Sequence, residues 1–170
     1  YSQQIPDTAA PMVVIPAMLT TDGEIDDLVE ALEVRFLANR NDNLYFGLLT
    51  DFTDAQEETL PADGLLLARV KNGIDALNKK YQRGNDDLFF LFHRPRKWNA
   101  GEKLWMGYER KRGKLSDLNA LLRGNGKEHF SLITGNQTIF PKVKYVITLD
   151  ADTQLPLGTA WKLIGTMAHP

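Results

Sequence analysis

The sequence predicts an α/β layered domain built on a mainly parallel sheet. Two observations carry this. Short apolar runs alternate with longer stretches of helical period, and the runs are continuous, as in strands covered on both faces. Composition agrees: 170 residues, 43% hydrophobic and 25% charged, suit one domain with its own core.

MVVIP, Met12 to Pro16, reads as a short buried strand closed by its proline. A helix follows. Thr21 and Glu24 have capping-box spacing, and Ile25, Leu28, Leu32 and Phe36 recur at helical period. LYFGLLT, Leu44 to Thr50, is the second strand and ends at Asp51. After a polar loop, Leu67, Val70, Ile74, Leu77 and Tyr81 mark a second helix, which GNDD breaks. LFFLF, Leu88 to Phe92, is the third strand. From His93 to Gly113 the chain reads as irregular, basic and aromatic, and a third helix spans about Lys114 to Leu122. FSLIT and QTIF flank Gly135-Asn136 and fit a two-residue hairpin. VKYVITL, Val143 to Leu149, is the fourth strand, and a last helix carries Leu157, Trp161, Ile164 and Ala168. No internal repeat or linker divides residues 1–170, so we read one domain. The chain begins at Tyr1 rather than Met and stops straight after a helical pattern, so we expect a piece of a longer protein and a truncated sheet.

Several functions are excluded. A net charge of −2 leaves no cationic excess for a nucleic-acid backbone. There is no cysteine, hence no disulfide or thiolate metal site. His93, His129 and His169 lack zinc spacing. No apolar run reaches the ~20 residues that span a bilayer, and no signal peptide is visible.

In open parallel sheets ligands gather at the carboxyl ends of strands. Here those ends carry Pro16, Asp51, His93 and Asp150. The fourth is the most telling. In KYVITLDADTQLP an apolar strand runs into Asp150 and Asp152, with only alanine between them. Residues i and i+2 of an extended chain share one side, and two such carboxylates repel unless a cation joins them. Mg2+ or Mn2+ fits, since a hard cation held by one or two carboxylates completes its shell with substrate phosphates. A solvated turn is the bland reading of any D-x-D. The position after a buried strand favours the metal bridge. An EF-hand is ruled out because Leu155 and Trp161 stand where Gly and Glu are required. LDADTQ also resembles the D-x-D-x-T of haloacid-dehalogenase-type phosphatases, but its threonine comes one place early and little chain follows it.

ERKRGKLSDLNALL places Arg110, Lys111, Arg112 and Lys114 at a helix start, where free N–H groups and the dipole attract anions. It is not a Walker A loop, because five residues separate Gly107 from Gly113 and Leu115 replaces Ser or Thr. A solvated charged face is the commoner fate of such a run. Beside a metal-type D-x-D it forms the second half of a nucleoside-diphosphate site.

Together these phrases resemble a known family. LLTDFTDAQEETLP, FLFHRPRKWN, WMGYERKRGKLSDLN and YVITLDADTQLP followed by GTMAHP are similar to the glycosyltransferase domain of cyclic β-1,2-glucan synthases, of the cellulose-synthase-like GT-A superfamily. The resemblance covers nearly the whole chain. It implies a GT-A, Rossmann-like fold, UDP-glucose as donor and a divalent cation on Asp150 and Asp152. It implies that Asp51 contacts the uridine, that Pro16 and Ala17 line the base pocket, and that Lys114, with Lys111 and Arg112, meets the diphosphate. Asp150 serves both metal and nucleotide. The acceptor would be a growing β-glucan, and the parent an inner-membrane bacterial enzyme with this domain on the cytoplasmic side. The general base of such inverting enzymes lies downstream of the D-x-D, so the expected activity of this chain alone is binding without turnover. Another sugar or linkage, or a non-catalytic nucleotide-binding module, fits the same residues. Asp54, Glu57 and Glu58 read as a solvated loop, and Trp98, Trp105 and Trp161 as packing residues rather than sugar platforms. His93, beside Arg94 and Arg96, is not assigned a ligand.

Overall fold

The apolar runs become the strands of a five-stranded sheet, and helices cover both its faces. The computed structural model describes residues 10–40, 44–81, 87–107 and 109–150. The chain runs β1 (Ala10–Leu19), α1 (Asp22–Ala38), β2 (Tyr45–Phe52), α2 (Asp63–Lys80), β3 (Phe89–Arg94), β4 (Lys97–Asn99), β5 (Leu104–Met106), α3 (Arg110–Leu122), β6 (Leu132–Thr134) and β7 (Val143–Thr148). The main sheet has the order β6-β3-β2-β1-β7. The neighbours β3, β2, β1 and β7 are parallel, and β6 alone is antiparallel. This is the predicted α/β class, compatible with a Rossmann-like layered fold. The last predicted helix, 157–168, lies outside the described residues.

Local chemistry explains the first helix. The Thr21 hydroxyl accepts the Glu24 N–H at 3.2 Å, as its spacing predicts, and Ile25, Leu28, Leu32 and Phe36 are all buried. Two crossovers in one direction, β1-α1-β2 and β2-α2-β3, keep α1 and α2 on one face, because such connections are right-handed. Alternation along the strands then sorts the core. Phe46 and Phe89 meet Phe36 of α1 edge-on, at 5.8 and 5.0 Å between centroids. Phe90 and Phe92 point to the opposite face and meet Phe140 at 5.9 and 5.8 Å. Each of these buried rings adds about 2 kcal/mol of transfer free energy.

Four expectations change. Strand β1 does not stop at Pro16; it continues to Leu19, with Pro16 opposite Leu49. Val14 C=O accepts from Leu149 N–H, so the residue two further along faces the same side, where the β7 ladder has ended. The missing N–H of Pro16 therefore costs no ladder bond. The stretch 93–113 is more regular than expected: His93 and Arg94 finish β3, β4 and β5 form a hairpin, and α3 begins at Arg110 rather than near Lys114. Trp98 does not pack that loop onto the core. It is 52% exposed and pairs across the hairpin with Trp105, 5.8 Å away.

Finally, FSLIT and QTIF do not pair as a hairpin. Leu132–Thr134 joins β3, while Gln137–Lys142 winds into a 3-10 helix. The Asn136 side chain, accepting from Thr138 N–H at 3.1 Å, starts that helix and wins over the turn. Gly135 has φ +116°, and a Cβ there would overlap the Phe90 ring and come within 3.1 Å of the Phe89 carbonyl oxygen. Gly135→Ala is expected to lower stability by about 2–4 kcal/mol. In the same urea titration, Gly64→Ala, where nothing lies within 4 Å of the new methyl, stays neutral or stabilises. Equal effects would refute the steric account.

Candidate functional site

The strand order reverses between β1 and β7, and the carboxyl ends of those strands flank the reversal point. Such a point in an open α/β sheet leaves a crevice for ligands. The return crossing from β3 to β7 brings α3 to the face opposite α1 and α2, and its first turn reaches this edge. Lys111 of α3 donates to Asp150, just past β7, at 2.6 Å, although 39 residues separate them. Both side chains are exposed, 52% and 63%. The basic segment and the first aspartate of the D-x-D are thus brought together. Asp152 lies outside the described residues.

Asp51, the expected uridine contact, is at the carboxyl end of β2 as predicted, and it is buried. Odd-numbered residues of β2 face α3, so its carboxylate points under that helix rather than outward. It is 3% exposed. Arg94 grips both its oxygens, Nε to Oδ1 at 2.9 Å and Nη2 to Oδ2 at 3.1 Å, and Lys114 reaches Oδ2 at 3.3 Å. Arg94 also donates to Asp117 of α3 at 2.7 Å. Lys114 donates to the Ala17 carbonyl at the end of β1, 3.2 Å away. One cluster of charges thereby ties β1, β2, β3 and α3 together. Burial opposes the Arg94 charge, yet its bonds to Asp51 and Asp117 outweigh that and raise its pKa. Burial lowers the Lys114 pKa, and the nearby Arg94 and Lys111 charges add to this, against the attraction of Asp51.

The remaining predicted residues flank this cluster. Pro16 and Ala17 line a cleft of about 440 Å³ with Met18, Thr20 and the first turns of α1. Arg112 is exposed and, with Lys111 and Arg123, edges an open groove on the outer side of α3. The first turn of α3 carries no acidic residue to balance the positive helix end. No group of three or more metal-type side chains assembles among the described residues. Asp150, the exposed carboxylate at this edge, is paired with Lys111. Glu57 and Glu58 are exposed, as a solvated loop requires, but Asp54 is half-buried and departs from that reading.

Sequence reasoning missed Arg94, Asp117 and Gly107. Arg94 pairs with Asp51 in strand register, a signal that becomes visible only once β2 and β3 are aligned. Gly107 has no local signal. A Cβ there would fall 2.6 Å from Asp51 Oδ2, so glycine leaves the room that the buried carboxylate occupies. His93 points to the other face, fully buried, with Nδ1 2.8 Å from the Thr50 hydroxyl.

Comparison with known proteins adds one relative. The chain is 42% identical, over 166 residues, to the cyclic beta-(1,2)-glucan synthase NdvB of Rhizobium meliloti (strain 1021). The match spans 98% of this chain and 6% of that protein. No family model matches the chain. Identity at that level, sustained over almost every residue, makes this chain a relative of one short segment of that glucan synthase.

Proposed function

We propose that this chain is the donor-binding part of a glycosyltransferase that extends a β-linked glucan. It holds the diphosphate of UDP-glucose at the reversal point of the sheet, with a divalent cation on Asp150 and Asp152. One observation carries the reading: Lys111 at the start of α3 and Asp150 after β7 meet at 2.6 Å beside the end of β1. A basic helix start and a carboxylate at one crevice are what a metal-bound diphosphate needs. The relation to a segment of a glucan synthase supports the substrate class. In this reading Pro16 and Ala17 border the base, and Asp51 acts from below the site through Lys114 rather than as an open ligand. Positive groups at the diphosphate stabilise the leaving UDP, often the largest catalytic term. The general base lies outside this chain, so the chain alone binds donor without turnover.

Calorimetric titration of UDP, with and without Mn2+, tests this. Binding is expected to require the metal and to weaken at least tenfold in Asp150→Asn. A cooperatively folded protein that fails to bind, or binds equally without metal, would overturn the reading. A non-catalytic nucleotide module predicts the same binding but no preference for the glucosylated nucleotide over UDP-galactose.

A further inference from the structure

Asp51 has two cations where one neutralises it. Arg94 holds both of its oxygens, and Lys114 shares one of them from the other side. The contacts differ in quality. Arg94 binds Asp51 at 2.9 and 3.1 Å and Asp117 at 2.7 Å, and its planar fork serves both carboxylates at once. Lys114 makes single, longer contacts, 3.3 Å to Asp51 and 3.2 Å to the Ala17 carbonyl. Removing Lys114 from the cluster leaves Asp51 with two hydrogen bonds. Removing Arg94 leaves the buried Asp51 with the single, longer contact to Lys114. A buried carboxylate stripped of its partner is costly. Lys114 also lies one helical turn from Lys111, hence close to the edge where Asp150 sits.

We propose that Arg94, held by Asp117, is a positioning residue: it carries the charge of Asp51 so that Lys114 can leave Asp51 and Ala17 for the phosphate of an anionic ligand. A compact ammonium on a flexible stem can make that exchange, whereas a guanidinium clamped by two carboxylates cannot. This inference rests on the donor-site reading and adds to it which cation moves and which stays.

A double-mutant cycle tests it. UDP and uridine are each titrated, with Mn2+, into the chain, Arg94→Lys, Lys114→Met and the double variant. Uridine lacks phosphates, so the ratio of its Kd to that of UDP reports the phosphate contact alone. Arg94→Lys is expected to lower that ratio about tenfold. In the Lys114→Met background the same substitution leaves the ratio within about twofold. General damage to the site would weaken uridine and UDP in proportion, and independent action would give additive losses; either result overturns the proposal while the donor site stands. If the unsubstituted chain binds no UDP, the donor reading falls and takes the proposal with it. Should Arg94→Lys not melt cooperatively, Asp117→Asn replaces it in the cycle. Asp117 is 18% exposed and touches the guanidinium from its outer side. Its loss is expected to be smaller and equally absent in Lys114→Met; an effect that persists there refutes the exchange.

Discussion

Arg96→Met is expected to lower stability by about 3–5 kcal/mol and to free the segment from Thr53 to Leu60. Arg96 is 3% exposed and holds both oxygens of Asp63, at 2.5 and 3.1 Å. It also donates to the carbonyls of Thr53 at 2.6 Å and Glu58 at 3.2 Å, and its guanidinium lies 4.8 Å from the centre of the Phe52 ring. Burial alone would raise the Asp63 pKa, but hydrogen bonds from Arg96 and from Leu60 N–H lower it below the usual carboxylate value. Methionine fills much of the same volume yet leaves a buried carboxylate and two carbonyls without these donors. A fall in melting midpoint of roughly 10 °C should accompany the loss. Limited proteolysis should cut within 53–60 well before the global unfolding rate permits. A variant that melts within about 1 kcal/mol of the parent and resists cleavage there would show that the arginine is dispensable.

Acid should weaken the fold well above the carboxylate range, and His93 is the reason. Burial holds its pKa down from 6.5 to about 4; the Asp51 and Asp63 charges pull the other way, and Arg96 and Lys114 push with burial. Above pH 6.5 the imidazole is neutral in both folded and unfolded chains and the term is absent. As pH falls from 6.5 toward 4, the unfolded chain takes a proton that the folded chain refuses. Stability then drops by roughly 3 kcal/mol, and the loss levels off once the folded pKa is passed. Asp63 acts in the same direction but lower: its contribution is present above 3.8 and disappears as pH falls through its depressed value. Urea titrations at pH 7 and pH 4.5 separate the two. In His93→Gln, which keeps a hydrogen-bonding group beside the Thr50 hydroxyl, most of the loss between those pH values should vanish. An unchanged pH dependence would assign it to other groups.

The elements were readable because each rests on neighbours in the chain. Thr21 and Glu24 are three residues apart, so the first helix start is written locally, and the period of Ile25, Leu28, Leu32 and Phe36 names the buried face. Continuous apolar runs identify strands by the same logic. The run before Asp150 is read correctly as a strand but not as a buried one: β7 is a half-exposed edge strand that stops at Thr148, two residues before the carboxylate. The errors arose where distant partners decide. Pro16 looked like a terminator, but whether a strand passes through proline depends on the side its absent N–H faces, and only the β7 ladder determines that. Asn136 is the exception: its contact with Thr138, two residues on, is local, and it competes with a hairpin turn that the same residues also fit.

The site divides in the same way. Residue types and their order pointed to a carboxylate-and-cation pair, and the fold brings Lys111 and Asp150 together across 39 residues. The state of Asp51 could not be inferred from its position at a strand end. Its partners arrive from 43 residues away on β3 and from α3, and the parity of β2 turns it beneath the helix instead of into solvent. Sequence therefore specified which charges exist and which strand ends bear them. Tertiary structure decided which of those charges neutralise one another in the interior and which remain at the surface, because burial and pairing are properties of contacts between segments that no local pattern encodes.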